Sequence, residues 1–299
     1  MAGTAIDFTL GSRRLLSVPR RLSTWAFSLD DVLGGALPPP PECGRDGVRV
    51  LSAPTDRLSA VNARFPGFIA GGRQDYRRHY IDMTGGFAAY MARFSGKTRS
   101  TLRRKARKLA DEAGGYTVSE HRSPAEIEAF LAAALPLSAK TYQARLLDAG
   151  LPGDPAARRA MLEAAEADRM RAFLLHAGGA PVAYLSLPVT GATLVYAHLG
   201  YDPEWARLSP GTVLQMDALE RLFAEERYRW FDFTEGEGAH KAMFGTHSAA
   251  CTSLVLLEPT LANRTLLGAR AGFDAGVSGA KALAEKSGAL GRLRTLLRA

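Results

Sequence analysis

The order of predicted strands and helices beyond residue 115 constrains the fold more strongly than any other feature of this sequence. Residues 116–121 alternate apolar and polar side chains, as a half-buried strand does. Ser123-Pro124-Ala125-Glu126 is a capping box with proline at the first helical position, so a helix is predicted to begin there. Hydrophobic spacing and turn residues place the later elements, which are a helix at 155–168, strands at 171–176, 182–189 and 192–199, a helix at 211–226, a strand at 229–233, a short helix at 240–244 and a strand at 252–257. The resulting order is β-α-α-β-β-β-α-β-α-β, and its three consecutive strands predict a β-meander.

A strongly basic helix is predicted just before this series. Leu102 and Leu109 lie at helical spacing, and Gly114 ends the pattern. Residues 97–108 contain seven lysines and arginines and no acid. Such a run is compatible with an anionic partner, but a charge run alone is usually a solvated helix face.

The rest of the amino-terminal part is less regular. A strand is predicted at 77–83 and a short helix at 87–94, whereas residues 1–50 show no clear periodicity. Pro136 is predicted to kink or end the helix that begins after Ser123, because proline lacks the N–H that a helix interior uses.

Five short stretches of sequence, taken in order, resemble one acyltransferase family. They are Lys140-Thr141-Tyr142-Gln143, Gly200-Tyr201-Asp202, Ser209-Pro210-Gly211, Phe231-Asp232-Phe233 and His240-Lys241-Ala242-Met243-Phe244-Gly245. With the element order and the basic helix that carries Arg99 and Arg103, they resemble the GNAT superfamily in its CelD-like branch of cellulose-biosynthesis-type acetyltransferases, which is related to the FemAB aminoacyl transferases. The resemblance covers roughly residues 75–258.

The resemblance implies an α/β (α+β) fold with a GNAT-like mixed, mostly antiparallel sheet flanked by helices. It also implies a degenerate amino-terminal GNAT-like half at residues 1–95, an acyltransferase domain at 96–258 and a basic helical tail at 259–299. The implied reaction moves an acyl group, acetyl first among them, from acyl-CoA to an amine or hydroxyl of a small or polysaccharide-linked acceptor.

The donor site is predicted at the start of the helix near Gly211. Free N–H groups and the positive end of the helix dipole attract phosphate there, with Ser209 as N-cap and Gly211 allowing close approach. Arg207, Pro210 and Thr212 complete the candidate set. An ordinary helix start gives the same pattern. The GNAT family places two glycines in this turn, whereas this chain has one, so an aminoacyl-tRNA donor remains an alternative to CoA.

Three residues are candidates for the chemistry of acyl transfer. Asp232 ends a strand predicted to lie beside the 192–199 strand, where it can orient or deprotonate an acceptor amine. Lys241 follows nine residues later and can offset charge on the tetrahedral intermediate, a role that the resemblance also implies. His198 is a candidate base near neutral pH. A structural ion pair of Asp232 and Lys241, and a core histidine, are the competing interpretations.

The acceptor pocket is predicted to include Lys140, Tyr142 and Tyr201. Tyr201 is also a candidate proton donor for the leaving thiolate. Packing in the core is the competing interpretation for both tyrosines.

Composition bounds the remaining possibilities. The net charge is +8, and the two cysteines, Cys43 and Cys251, exclude a disulfide framework and a four-cysteine zinc site. No histidine or acid cluster has the spacing of metal ligands, so no metal cofactor is expected.

Location and partners are predicted from the same features. With no signal peptide or membrane span in the sequence, the predicted location is the cytoplasm. Leu290, Leu293, Leu296 and Leu297 lie among arginines, which predicts either peripheral contact with an anionic membrane or a helix docked on the protein itself. The protein is expected to be a monomer or homodimer. Nucleic acid is expected only as tRNA in the alternative, and a third hypothesis is a non-catalytic protein that binds anionic surfaces.

Overall fold

The computed structural model of the chain describes residues 4–10, 13–141 and 150–286. Its strands are β1 (Thr4–Leu10), β2 (Arg13–Arg20), β3 (Leu22–Ala26), β4 (Gly47–Pro54), β5 (Ile69–Asp82), β6 (Tyr116–His121), β7 (Met170–Ala177), β8 (Ala180–Thr190), β9 (Thr193–Val195), β10 (His198–Tyr201), β11 (Trp230–Asp232) and β12 (His247–Leu257). The α-helices are α1 (Leu29–Gly34), α2 (Leu58–Asn62), α3 (Gly86–Ala92), α4 (Gly96–Ala113), α5 (Pro124–Lys140), α6 (Pro155–Glu166), α7 (Pro210–Ala224), α8 (Ala239–Phe244) and α9 (Leu261–Lys286). Short 3-10 helices cover Thr55–Arg57 and Pro203–Leu208.

The chain divides into two compact units. The first contains Met1–Arg78, Glu235–Glu237 and Ala249–Ala299, and the second contains His79–Thr234 and Gly238–Ser248. The sequence predicts domain boundaries at residues 95 and 258 instead. These boundaries stay a prediction.

The first unit is built on strands that residues 1–50 did not reveal by periodicity. β1 and β2 form an antiparallel hairpin, β3 lies parallel to β4, and β12 lies antiparallel to β4. Trp25 and Phe27 pack with Val48, Val50 and Leu254 into the core of this unit. These strands are defined by their pairing partners, so a local pattern of side chains predicts them poorly.

The second unit contains a mixed, mostly antiparallel sheet in the order β5-β11-β9-β8-β7-β6. β9 and β11 are parallel, and β10 pairs with β8. α7 covers one face of this sheet, where Leu214, Leu219 and Phe223 join the apolar core. α5 covers the other face, where Ile127 and Phe130 pack with Tyr184. The predicted fold class, a GNAT-like sheet flanked by helices, agrees with this architecture.

The helix starts and ends that have strong local signals are found where predicted. Ser123 Oγ accepts from the Glu126 N–H, and the Glu126 carboxylate accepts from the Ser123 N–H, so the capping box is complete. α4 ends at Gly114, which has a left-handed φ of 70°. These bounds depend on local hydrogen bonds and on local backbone conformation, which the sequence encodes directly.

Pro136 was predicted to kink or end this helix, and the predicted end there is wrong. α5 continues through Pro136 to Lys140. The turn beyond the proline is held by tertiary contacts, since Leu137 and Ser138 are buried. Ser138 Oγ accepts hydrogen bonds from Tyr184 Oη at 2.9 Å and from the Leu151 N–H at 2.8 Å. Together these contacts outweigh the backbone bond that proline cannot make.

The predicted single strand at 192–199 is two strands in the structure. β9 ends at Val195, and β10 begins at His198 with a different partner. This division positions the candidate site.

Candidate active site

The site begins where the chain passes from β9 to β10. β9 runs parallel to β11 with Val195 opposite Asp232, and the Tyr196 N–H still donates to Asp232 O at 2.8 Å. One residue later the Ala197 N–H donates to Ser186 O on β8 at 3.3 Å. The backbone therefore changes partner within two residues.

Strands β10 and β11 diverge beyond this point. In the described part of the chain, β10 pairs with β8 alone. On the other side, the Phe233 N–H donates to His79 O on β5 at 3.1 Å. The place where the two strands part is called here the β10/β11 opening.

Helix α7 begins beside this opening, and Gly211 sets how closely it packs. A Cβ at Gly211 would lie 2.9 Å from Leu199 Cδ2 and 3.2 Å from Tyr201 Cδ1. The glycine is therefore required for the contact of α7 with β10, and the predicted role in admitting a phosphate is not needed to explain it.

The start of α7 differs in its capping from the phosphate site that the sequence predicts. Ser209 occupies the N-cap position with a left-handed φ of 55°, but its side chain makes no capping hydrogen bond. The N–H groups of Thr212 and Val213 both donate to Ser209 O, at 3.0 and 3.2 Å. Pro210 has no N–H to offer. Fewer donors are thus directed outward than a free helix start would provide.

Arg207 lies on the 3-10 helix that precedes α7. Its side chain is 66% exposed and forms an ion pair with Glu112 at the end of α4. This contact places the start of α7 beside the basic helix, which the sequence did not predict.

The α7 side of the opening contains a buried amide that the sequence analysis missed. Gln215 is 0% exposed, and its Oε1 lies 2.7 Å from His240 Nε2. Its Nε2 is buried and has no hydrogen-bond partner. A donor left unsatisfied in a buried position costs free energy, so such a group is a candidate for ligand contact.

His240 and Tyr196 lie on this same side. The Tyr196 ring packs 6.3 Å from the His240 ring and 5.4 Å from Phe233. Burial lowers the pKa of His240, and the positive charges of Lys105 and Lys241 lower it further. Burial also raises the pKa of Tyr196, so its hydroxyl remains protonated at neutral pH. The signal for Gln215 was present in the sequence as a polar residue within the apolar stripe of α7.

Two predicted catalytic residues lie on the opposite face of the sheet. Leu199 contacts α7, so alternation places His198 on the α5 side. Asp232 alternates with the core residues Phe231 and Phe233 and therefore shares that side. Asp232 is 1% exposed, and its Oδ1 accepts from the Thr234 N–H at 2.9 Å. Burial lowers the pKa of His198, which keeps the imidazole neutral at pH 7.

The predicted acceptor residues are partly brought to this face. Lys140 Nζ donates to Asp202 Oδ2 at 2.8 Å, directly after β10. This contact raises the pKa of Lys140 and lowers the pKa of the Asp202 carboxyl. Tyr142 lies outside the described residues. The Tyr201 side chain is 39% exposed and packs at Gly211, on the α7 side instead.

Lys241 lies in the last turn of the short helix α8 and is half-buried. The end of that helix is fixed by Arg93, whose Nη1 donates to Gly245 O at 2.6 Å and whose Nη2 donates to Met243 O at 2.7 Å. α8 thereby holds His240 and Lys241 in a defined place next to the opening.

The geometry brings the candidate residues to two sides of one opening. Gln215, His240 and Tyr196 lie on the α7 side, and His198, Asp232 and Lys140 lie on the α5 side. In the described part of the chain, no group of three or more histidines, cysteines or acids is arranged to hold a metal ion.

The comparison with known families decides the assignment. Residues 96–242 match the sequence profile of the acetyltransferase (GNAT) domain family. This part of the chain is a GNAT domain. The profile includes α4, the β10/β11 opening, α7 and the first half of α8. No curated protein sequence matches the chain significantly.

The chain is similar to several solved structures. The C-terminal domain of a putative lysylphosphatidylglycerol synthetase from Agrobacterium fabrum is 15% identical, with a TM-score of 0.50, over 76% of this chain and 72% of that one. FemX is 13% identical, with a TM-score of 0.49, over 73% of both chains. A GCN5-related N-acetyltransferase from Kribbella flavida is 15% identical, with a TM-score of 0.39, over 73% of this chain and 70% of that one. At 15% identity the likeness to the Agrobacterium fabrum domain concerns the fold alone.

A GNAT domain typically takes its acyl group from acyl-CoA, and the described residues fit such a donor at two points. The edge of β10 that faces away from β8 offers backbone groups to an extended chain. The orphaned Nε2 of Gln215 offers a buried donor beside the opening. Each helix of the described part of the chain is too short or too polar to cross a membrane.

Proposed function

We propose that the protein transfers an acyl group, acetyl in the first instance, from acyl-CoA to an amine or hydroxyl of a small or polysaccharide-linked acceptor in the cytoplasm. The observation that carries this proposal is the divergence of β10 and β11 beside the start of α7. A chain with amide groups can add to the unpaired edge of β10 as an extra strand would. The positive end of α7 then lies near the phosphates of the donor.

In this proposal the α7 side stabilises charge. Gln215 Nε2 donates a hydrogen bond to the oxygen of the tetrahedral intermediate, and Oε1 keeps the His240 ring oriented. Tyr196 supplies the proton that the leaving thiolate takes up, because burial keeps its hydroxyl protonated. Lys241 adds a positive charge at the same side of the opening.

The α5 side receives the acceptor. The acceptor nitrogen or oxygen attacks the thioester carbonyl carbon, and neutral His198 takes the proton that this atom loses. The carbon–sulfur bond then breaks as the carbonyl re-forms. Asp232 orients an acceptor amine, and Lys140, held by Asp202, shapes the entrance on this side.

The experiment is a thiol-release assay with acetyl-CoA and longer acyl-CoAs against amines, amino sugars and hydroxylated sugars. Acceptor-dependent release of free thiol supports the proposal, and His198→Gln is expected to reduce it. Glu128→Gln, a change at an exposed ion pair of α5 with Arg158, is the matched control. Absence of release with every donor would contradict the CoA version.

One observation favours a second candidate, a FemAB-like transferase that uses aminoacyl-tRNA. Arg103, Arg104 and Arg107 are exposed on α4 and form no ion pair with any described residue. Such a face binds a polyanion with strong salt dependence. A gel shift with charged tRNA, followed by transfer of the labelled aminoacyl group, selects this candidate. Binding without any transfer selects a non-catalytic anion-binding protein.

A further inference from the structure

The first unit contains a cavity of about 300 Å³ that the proposed reaction does not use. Its walls come from β1, β4, β5, β12 and α9. This volume is at the lower end of the range for small-molecule sites. Leu51, Leu254 and Leu267 supply apolar surface. The charged lining residues are Asp7, Glu235, Arg49 and Arg270.

The two arginines of this cavity differ in whether a carboxylate pairs with their charge. Arg270 Nε donates to Asp274 Oδ2 at 2.9 Å, and its Nη1 donates to the backbone oxygen of Asp7. Arg49 donates from Nη2 to the backbone oxygen of Ala5, and it forms no ion pair with any described residue. Arg49 therefore presents a half-buried positive charge with no direct ion pair among the described residues, held in place by β1.

Asp7 provides the complementary group. Its Oδ1 is buried and has no hydrogen-bond partner. A buried carboxylate oxygen without a donor costs free energy, which a ligand donor can recover. The cavity wall thus contains an unsatisfied acceptor at Asp7 and, at Arg49, a guanidinium without a direct ion pair among the described residues.

We propose that this cavity binds a small zwitterion of the α-amino acid class. The ligand carboxylate pairs with the guanidinium of Arg49, which presents N–H donors in a geometry that suits carboxylates. The ligand ammonium donates to Asp7 Oδ1, and an apolar side chain contacts the leucines. A polyanion fits poorly, because Asp7 is carried by the same wall. The inference does not depend on the proposed acyl transfer.

The test is titration calorimetry of the full chain with free L-amino acids, and with the N-acetyl and carboxamide derivatives of the best binder. Saturable binding of an apolar amino acid is expected. Each derivative removes one of the two ligand charges and is expected to bind at least tenfold more weakly, about 1.4 kcal/mol. Because these changes are made in the ligand, they leave the fold of the protein intact.

Variants test the same two contacts from the protein side. Asp7→Asn and Arg49→Lys are each expected to weaken binding at least tenfold. Arg45→Lys is the matched control, since Arg45 is exposed and lies outside the cavity wall. The proposal is overturned if no free amino acid binds, if both derivatives bind as well as the parent, or if the two variants bind like the control. None of these outcomes alters the thiol-release result.

Discussion

At the scale of single residues, Gly211 carries the contact between α7 and β10. Alanine there would bring Cβ within 2.9 Å of Leu199 Cδ2, so either the side chain or the start of α7 must move. We expect Gly211→Ala to lower the free energy of unfolding by about 1–3 kcal/mol, the usual cost of overpacking. Urea unfolding of the variant and the wild type measures this difference.

The matched control for that change is Gly96→Ala. Gly96 also lies at the start of a helix, α4, but a Cβ added there would have no neighbouring atom within 4 Å. Its expected effect is neutral to about 1 kcal/mol stabilising. Equal loss in both variants would show that the close approach at Gly211 does not matter.

Gln215 is the residue whose removal tests the proposed chemistry most sharply. Gln215→Leu keeps the side chain buried but deletes the unpartnered Nε2, and we expect kcat to fall about 10²-fold with little change in KM for the donor. Leu219→Met, one turn later on the buried face of α7, controls for packing alone. A kcat for Gln215→Leu within twofold of the control would remove the amide from the mechanism.

At the scale of secondary structure, the capping box of α5 makes a prediction that is independent of function. Ser123→Ala deletes the bond to the Glu126 N–H and is expected to cost about 1 kcal/mol of stability, measured by urea unfolding. Ser100→Ala, in the exposed face of α4, is expected to change stability by less than about 0.5 kcal/mol. No difference between them would mean that this cap is not formed in solution.

The same capping box predicts that the free energy of unfolding falls at acid pH. The backbone N–H groups of Ser123 and Arg122 hold the pKa of Glu126 down at about 2, below its ordinary value of 4.5. A carboxyl with a lowered folded pKa stabilises the protein above its unfolded pKa, and that contribution is lost as pH falls from about 4.5 toward 2. Stability measured over this range should fall less in Glu126→Gln than in the wild type. An unchanged slope would contradict the assignment.

The helices and strands also show how far the sequence determines this fold. The start of α5, the end of α4 and the bounds of β6 follow from a cap, a left-handed glycine and alternation, which are local, and they were predicted closely. The split of β9 and β10 was not predicted, because Tyr196 and Ala197 look like ordinary strand residues and only their hydrogen-bond partners differ. The helix through Pro136 was missed for the same reason, since contacts from Tyr184 and Leu151 hold the turn beyond it.

The candidate site, like the fold, was predicted only in part. Asp232, His198 and Lys241 were singled out by residue type and position. Asp232 and His198 lie on the two strands that part at the opening, and Lys241 lies on α8 next to His240. Their roles stay predictions. The pair of Gln215 and His240 was missed because the two residues are 25 positions apart and meet only through the packing of α7 and α8.

At the scale of the whole molecule, three histidines with lowered pKa values predict a decline of stability at mildly acid pH. Burial lowers the pKa of His121, His198 and His240, so the folded protein binds fewer protons than the unfolded chain near pH 6. The free energy of unfolding should therefore fall as pH drops below about 6.5. His198→Gln with His240→Gln should reduce this fall, as followed by urea unfolding at several pH values. A pH dependence identical to the wild type would contradict it.

The central claim is that the acyl donor binds at the β10/β11 opening. Amide hydrogen exchange of the full chain with and without acetyl-CoA tests this most directly, because β10 has a strand partner on one side only in the described part of the chain. If acetyl-CoA binds there, amide exchange should slow at residues 198–201 and at the first turn of α7, with no change in β6. Exchange that is unaltered at residues 198–201 while acetyl-CoA is bound elsewhere, or no binding at all, would contradict it.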